Sequence, residues 1–310
     1  MQDETILVIT GPTASGKTAV SLHCAGMLDA EIISADSRQV YRGLDIGTAK
    51  PTAEERARVP HHGIDICDPT ETYTAGRFFA DAHEWIRNIR ARGKRVVIVG
   101  GSGLYVRVLL QGLFEGPAAD DALRARLEQR LREEGKEVLL SELAARDPAM
   151  AEIIDRRNPV RLVRALEVCM LTGQPYSRLR EEQLRRSPHR YFPVALSWER
   201  AALHARINAR VDAMMGAGLC EEVRALRSAG IDPACNALNT VGYKEISAYL
   251  DSLLPYDAAV EQVKTNTRRF ARRQHTWFRR EPALRWYDMT ADSDPAVVAR
   301  TILDDMPRER

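Results

Sequence analysis

The sequence predicts an α/β fold, a P-loop-type parallel sheet flanked by helices, with a helical insertion domain. Three observations predict it. The first third of the chain alternates short apolar, β-branched runs with helical segments, the pattern of parallel strands wrapped by helices. A glycine-rich loop joins the first such run to the first helix. From about Phe114 the strand signals stop and helical signals dominate to about Arg190. Residues 114–189 are therefore read as a helical insertion, and 1–113 with 190–310 as one discontinuous catalytic core.

The elements follow in order. Thr5–Thr10 (TILVIT) is a buried strand broken by Gly11, and a helix begins near Lys17 and runs towards Leu28. Glu31–Asp36 (EIISAD) is the next strand. Gly76–Arg92 is a helix closed by Gly93, and Arg95–Val99 (RVVIV) a further buried strand, followed by GGSG and a helix through Leu110. In the insertion, Asp120 or Asp121 caps one helix; Asn158 caps another that has Pro159 at its first position and Gly173 at its close. Tyr191–Trp198 returns to the sheet as a strand. Helices follow at Ala202–Met215, Cys220–Ser228 and around Ala258–Arg280. No internal repeat is present.

Composition excludes several classes. The chain has 310 residues, 45% hydrophobic, 28% charged and 6% aromatic, with a net charge of only +2. The whole chain thus carries no polyanion signature, and only the distribution of charge can. Cys24, Cys67, Cys169, Cys220 and Cys235 show no C-x-x-C spacing, which suits reduced thiols. The start MQDETILVIT lacks the basic region of a signal peptide. No run approaches the ~20 apolar residues that span a bilayer. A soluble, monomeric, cytoplasmic protein with no membrane partner is expected. His61–His62 invites a metal reading, but only Asp65 lies near, and the pair is read as loop structure.

Three strand ends carry chemistry, as ligands of such sheets sit at carboxyl ends. The first is GPTASGKT: Gly11, Pro12, Thr13, Ala14, Ser15, Gly16, Lys17 and Thr18 fit G-x-x-x-x-G-K-[ST]. Its amides and helix N-terminus hold an anion. Lys17 adds charge to terminal phosphate oxygens, and Thr18 is the candidate metal ligand. The motif asks for a diphosphate or triphosphate without specifying a nucleotide. The second is SADSRQVYRGLDIGTAKP (34–51). Asp36, at the end of its strand, can be a Mg²⁺ ligand, a general base or an N-cap. The third is VGGSGLYVRVL (99–109), where small residues let backbone approach a ligand and Ser102 can donate to a phosphate.

Charge is uneven. Between Gln262 and Arg280 there are seven Lys or Arg and no acidic residue. Lys264, Arg268, Arg272, His275 and Arg279 fall on one helical stripe, with Phe270, Trp277 and Phe278 interleaved, a pattern suited to a phosphate backbone. Two shorter basic faces appear, at Arg157, Arg161 and Arg164, and at Arg206 and Arg210.

Together these stretches resemble the tRNA dimethylallyltransferase (tRNA isopentenyltransferase) family. The resemblance rests on GPTASGKT, ISADSRQVYRGLDIGTAKP (33–51), HHGIDICDP (61–69), YTAGRF (73–78), VGGSGLYVRVL, NPVRLVRALEV (158–168), NTVGYKE (239–245) and RRFARRQHTWFR (268–279). It covers nearly the whole chain. It implies transfer of the dimethylallyl group of dimethylallyl diphosphate, with Mg²⁺, to N6 of adenosine 37 in the tRNA anticodon stem-loop, which the insertion helps grip. It further implies Asp36 as base, with Lys17, Ser102 and Arg206 also catalytic, Arg206 lining the active-site channel. Residues implied to meet tRNA are Asp36, Ser37, Arg38, Gln39, Ser102, Arg124, Val160, Arg161 and Arg164. Asn239, Gly242, Tyr243, Lys244, Arg272, Arg273, Gln274, His275, Trp277 and Arg279 join them. One departure is visible: the family commonly has Thr where this chain has Ser102, so the hydroxyl survives and the methyl does not. Two rival classes, a P-loop kinase and an RNA-binding NTPase switch, would want an acidic residue ending a strand near RVVIVGG, and none is there.

Overall fold

A parallel sheet grows outward from the phosphate-loop strand in the computed structural model, which describes residues 4–155 and 158–307. Arg157 lies outside the described residues. In chain order the elements are β1 (Ile6–Thr10), α1 (Lys17–Leu28), β2 (Ala30–Ser34), α2 (Ala53–Arg58), β3 (His61–His62), α3 (Ala75–Ala91), β4 (Arg95–Val99) and α4 (Gly103–Gln111). Then come β5 (Leu113–Phe114), α5 (Asp121–Glu133), α6 (Lys136–Arg146), α7 (Pro148–Ile153), α8 (Pro159–Thr172), α9 (Tyr176–Glu182) and β6 (Leu184–Arg185). The chain continues with β7 (Tyr191–Trp198), α10 (Arg200–Gly216), α11 (Leu219–Ser228), α12 (Tyr243–Leu250), α13 (Tyr256–Phe278), β8 (Arg285–Met289) and α14 (Pro295–Asp304).

The six-stranded sheet has the order β3-β2-β4-β1-β7-β8, with every neighbouring pair parallel. β1 is its centre, and all five of its residues are buried. That explains its unbroken apolar run, since a strand covered on both faces has no polar side to alternate. Leu7, Ile9, Ile32, Val97, Val194 and Leu196 join Val20, Cys24 and Ala299 in the core on one face of the sheet. Register decides what meets at the carboxyl end. Ile9 pairs with Val99 and Ser34 with Val99, which brings the three loops after β1, β2 and β4 side by side.

The structure corrects and extends the sequence reading at several points. His61–His62 is a short parallel edge strand on β2, not a loop. The His62 ring pairs with Glu31 at 2.6 Å. No group of His, Cys, Asp or Glu able to hold a metal occurs among the described residues. β2 ends at Ser34, two residues before Asp36. β8 was not legible, because RWYDM is short and half polar; it forms only by pairing with β7. No described helix is long and apolar enough to cross a membrane.

The chain divides into two compact units, one comprising residues 1–110 and 187–310 and the other 111–186. The second is opened and closed by the antiparallel pair β5 and β6. Its core is built on Leu127, Leu139, Leu143 and Leu166 from three helices. Asn158 caps α8 by accepting from the Arg161 amide, and Gly173 ends it in the left-handed region at φ 68°. At its polar centre Glu167, fully buried, accepts from Arg164 at 2.7 Å, Arg124 at 3.0 Å and the Asp120 amide at 3.0 Å. Burial pushes its carboxyl up, but the Arg164 and Arg124 hydrogen bonds outweigh burial and hold it below the ordinary 4.5.

A hydrogen bond to a charged group contributes about 1.5–3 kcal/mol. Because Arg124 is partly exposed and therefore screened, Glu167→Gln should cost only about 2 kcal/mol in urea unfolding at pH 7. A carboxyl with a depressed folded-state pKa stabilises above its unfolded value, so the gap between variant and wild type should shrink as pH falls below 4.5. An equal gap at pH 3 and pH 7 would show that the charge of Glu167 contributes nothing.

Candidate active site

A cavity of about 790 Å³ opens across the carboxyl ends of the central strands. Its floor is the loop after β1. Gly16 caps α1 at φ 91°, in the region that only glycine enters freely, and lets the loop turn its amides inward. The loop is held from outside. Lys17 Nζ donates to the carbonyls of Gly11 at 3.0 Å and Pro12 at 2.7 Å. Trp198 Nε1 donates to Ser15 O at 2.9 Å, and Arg206 Nε to Ala14 O at 2.9 Å. The Arg206 guanidinium also lies 4.2 Å from the centre of the Trp198 ring. Ser15 Oγ is buried with no hydrogen-bond partner. An orphaned hydroxyl inside a loop of amides is the mark of a site built for an anion.

Burial and the charge of Arg210 push the Lys17 ammonium down to about 7, against the pull of Asp36. Arg210, in its turn, is lowered by burial against the pull of Asp36. Its guanidinium lines the cavity and makes no hydrogen bond or ion pair among the described residues. The sequence marked Arg210 as one helical turn from Arg206 but gave no reason to place it in the site.

The loop after β2 forms the second wall. Asp36 Oδ1 accepts from the amides of Arg38 at 2.8 Å and Gln39 at 3.4 Å, so the carboxylate caps its own turn. Oδ2 accepts nothing among the described residues, and Asp36 lines the cavity. Ser102 Oγ accepts from the Ser37 amide at 2.8 Å and lies 3.1 Å from Ser37 Oγ, tying the loops after β2 and β4 together. Gln39 spends its side chain on the Thr48 and Ala49 carbonyls and the Ser34 hydroxyl. Arg38 reaches Asn236. Arg38 and Gln39 thus hold loops in place as well as line the cavity.

The remaining expected residues sort into three groups. Asn239, Gly242, Lys244, Arg273 and Gln274 join the phosphate loop, Asp36–Gln39, Ser102 and Arg206 around the one cavity. Arg272 on α13 and Arg279 at its C-cap are exposed, His275 and Trp277 are half-buried, and none of the four lines the cavity. Burial, then Arg279, lowers the His275 pKa. Arg124, Val160, Arg161 and Arg164 belong to the second unit, where Val160 and Arg161 are exposed on α8.

Packing gives several of these residues contacts within the protein. Gln274 is buried: its Oε1 accepts from the Thr13 amide at 2.8 Å and its Nε2 donates to Gly101 O at 2.9 Å, so its amide braces two loops. A Cβ on Gly101 would stand 2.5 Å from that nitrogen, so a side chain there would displace the Gln274 amide. Tyr243 is fully buried and donates to Glu222 at 2.6 Å. At the start of the basic stripe, Lys264 pairs with Asp212 at 2.8 Å and Arg268 donates to Asn208 at 2.6 Å. Those two charges are directed at α10, and the free charge of α13 lies further along. The sequence could not show this, because the partners are 52 to 60 residues away.

Mg²⁺, implied by resemblance, takes hard oxygen donors and usually keeps several waters beside one or two carboxylates and substrate phosphates. Thr18 and Asp36 line the same cavity and are donors of that kind. With no closed cage among the described residues, they suit an ion that arrives with a polyphosphate.

A family model described as IPP transferase matches residues 39–281. A tRNA dimethylallyltransferase of Geobacter metallireducens is 46% identical over 290 residues, spanning 93% of this chain and 94% of that relative. One from Anaeromyxobacter sp. is 45% identical over 302 residues, spanning 97% and 98%. Among solved structures, the full-length tRNA isopentenylpyrophosphate transferase of Bacillus halodurans matches with a TM-score of 0.71 at 39% identity, over 97% of this chain and 96% of that one. A eukaryotic dimethylallyltransferase acting on tRNA matches with a TM-score of 0.79 at 25% identity, over 99% and 81%.

A Lys17 ammonium lowered to about 7 is largely neutral above that pH, and a bound anion favours its charged form. Binding of inorganic diphosphate should therefore take up protons above pH 7. In calorimetry across buffers of different ionisation enthalpy, the wild type should exceed Lys17→Arg by about one proton near pH 8.5 and by none below pH 6. The same uptake in both proteins at pH 8.5 would show that Lys17 stays charged without ligand.

Proposed function

The chain belongs to the IPP transferase family, and we propose that it transfers the dimethylallyl group of dimethylallyl diphosphate to N6 of adenosine 37, beside the tRNA anticodon. The observation that carries this reading is one cavity holding both an anion loop with an orphaned Ser15 hydroxyl and an Asp36 carboxylate with one oxygen free. An NTPase needs the first; an acceptor that must lose a proton makes use of the second as well.

The exocyclic amine of adenine is a weak nucleophile, because its lone pair is delocalised into the ring. The residues here address that in three ways. The loop amides, Ser15, Lys17 and Arg210 receive the charge that builds on the bridging oxygen as the C1–O bond breaks. The walls hold N6 in line with C1, and positioning of this kind contributes several kcal/mol to a barrier. As the N6–C1 bond forms, Asp36 Oδ2 takes the N6 proton; Oδ1 stays fixed by the Arg38 amide. A positioned base is typically worth about 10²–10⁴-fold. Bound with the diphosphate at Thr18, Mg²⁺ would add positive charge to the leaving group. Ser102 and Arg206 act here by fixing loops: Ser102 holds the turn that carries Asp36, and Arg206 holds the phosphate loop.

The base must leave its stack to enter the cavity, and a single-stranded loop allows that at low cost. Exposed basic residues of α13, Arg272, Arg273 and Arg279, supply phosphate contacts, and Lys244 extends the positive rim. Val160 and Arg161 of the insertion give a second contact to the stem-loop.

The defining assay mixes the protein with Mg²⁺, unmodified tRNA and either dimethylallyl diphosphate labelled in the allyl group or γ-labelled ATP. Label should enter tRNA from the first and remain in ATP with the second; the converse result indicates a kinase. Asp36→Asn should lower single-turnover rates by about 10²-fold or more while tRNA affinity stays within a fewfold. A near-normal rate would remove Asp36 as the base. Arg272→Ala with Arg279→Ala should weaken tRNA binding and flatten its salt dependence by about two units of slope; an unchanged slope would place the phosphate contacts elsewhere.

A further inference from the structure

Residues 47–49 line the same cavity, and the turn bonds within 44–50 are supplemented by a side chain from a distant part of the chain. Glu222, on α11, sends its carboxylate into this loop. Oε2 accepts from the amides of Asp45 at 2.9 Å and Ile46 at 2.7 Å; Oε1 accepts from Gly47 N at 3.1 Å and from Tyr243 Oη at 2.6 Å. Three successive main-chain amides around one anion form a backbone nest of the kind that binds phosphate or carboxylate. Here the chain fills its own nest from 175 residues away. Burial, reinforced by the Glu222 charge, raises the Tyr243 phenol, so it stays a donor to that carboxylate.

The consequences run toward Asp36. With amides 45–47 fixed, the carbonyls of Thr48 and Ala49 point at the Gln39 side chain and hold its amide at 3.3 and 3.2 Å. Ala49 sits at φ 49°, a conformation a non-glycine residue keeps only when its surroundings impose it. Gln39 lies in the turn that Asp36 caps, and its own amide donates to Asp36 Oδ1. Lys50, whose side chain is 2% exposed, locks the far end of the loop to Asp45, Asp65 and the Tyr41 carbonyl. We propose that Glu222 is a positioning residue for the reaction, acting through the 45–49 loop and Gln39 on the placement of Asp36. This rests on the proposed role of Asp36 as base.

Two readouts separate this inference from the functional reading. The first needs no turnover. In hydrogen exchange, the amides of Asp45, Ile46 and Gly47 should be protected in the wild type and exposed in Glu222→Ala. Added sodium formate should restore protection by entering the vacated nest, and formamide should not. Phosphate-loop amides should be unchanged. The second is prenyl transfer. Glu222→Ala should lose about 10²-fold in kcat, as expected when a base is displaced by about 1 Å, with the KM for dimethylallyl diphosphate within a fewfold. Formate should recover at least tenfold of the loss and leave the wild type unaffected. Glu222→Gln, which keeps one acceptor oxygen and the side-chain volume, should fall between the two and serves if the alanine variant does not fold. Unchanged protection at 45–47, or kcat within threefold of wild type in a folded variant, overturns the proposal. So does a loss that formate does not relieve. A wild type that transfers no prenyl label would instead refute the functional reading, and the exchange experiment would still decide whether Glu222 fills the nest.

Discussion

The central constraint is the parallel register of β1 between β4 and β7. Pairing Ile9 with Val99 leaves the glycine-rich loops after β1 and β4 facing each other, and Ser34 beside Val99 brings the turn with Asp36 to the same edge. Parallel strands end together, so their loops meet on one side of the sheet. Everything in the cavity depends on that convergence. A shift of one residue in any pair would exchange the side chains that β1 presents to its two covering layers, and a strand buried on both faces leaves no room for that.

The loops so assembled are rich in backbone polar groups, and most of the polar side chains around them serve to satisfy backbone rather than ligand. Gln274 joins Thr13 to Gly101, Ser102 joins the loop after β4 to Ser37, Gln39 holds 48–49, and Trp198 and Arg206 hold the phosphate loop. Among the described residues, the groups left uncommitted include Ser15 Oγ, one oxygen of Asp36 and the Arg210 guanidinium. The set combines a hydroxyl, a cation and a carboxylate oxygen, the groups on which the proposed transfer draws. Preorganisation works in this way: scaffolding residues carry the ordering cost before substrate arrives.

The two halves of α13 show how one helix divides its labour. Near its start, Lys264 and Arg268 are tied to α10, and Gln274 is buried further along. Arg272, Arg273 and Arg279 remain exposed. A single-sign stripe in the sequence is thus partly structural and partly free, and only the neighbouring helix distinguishes the two.

Local chemistry made much of this protein legible. Phosphate-loop spacing, the unbroken apolar strands, the Asn158 and Pro159 start and the Gly173 stop are short-range signals, and each corresponds to an element within a residue or two. The identities of Asp36, Lys17 and Ser102 as cavity residues followed from their place at strand ends. What the sequence left open were contacts between distant segments: the β8 pairing, the turn of Gln274 and Tyr243 into the core, and the Glu222 carboxylate in the 45–47 nest. The physical reason is the range of the forces. Propensity and capping act over a few residues, whereas the partner of a buried amide or carboxylate is chosen by whatever the folded chain brings to it.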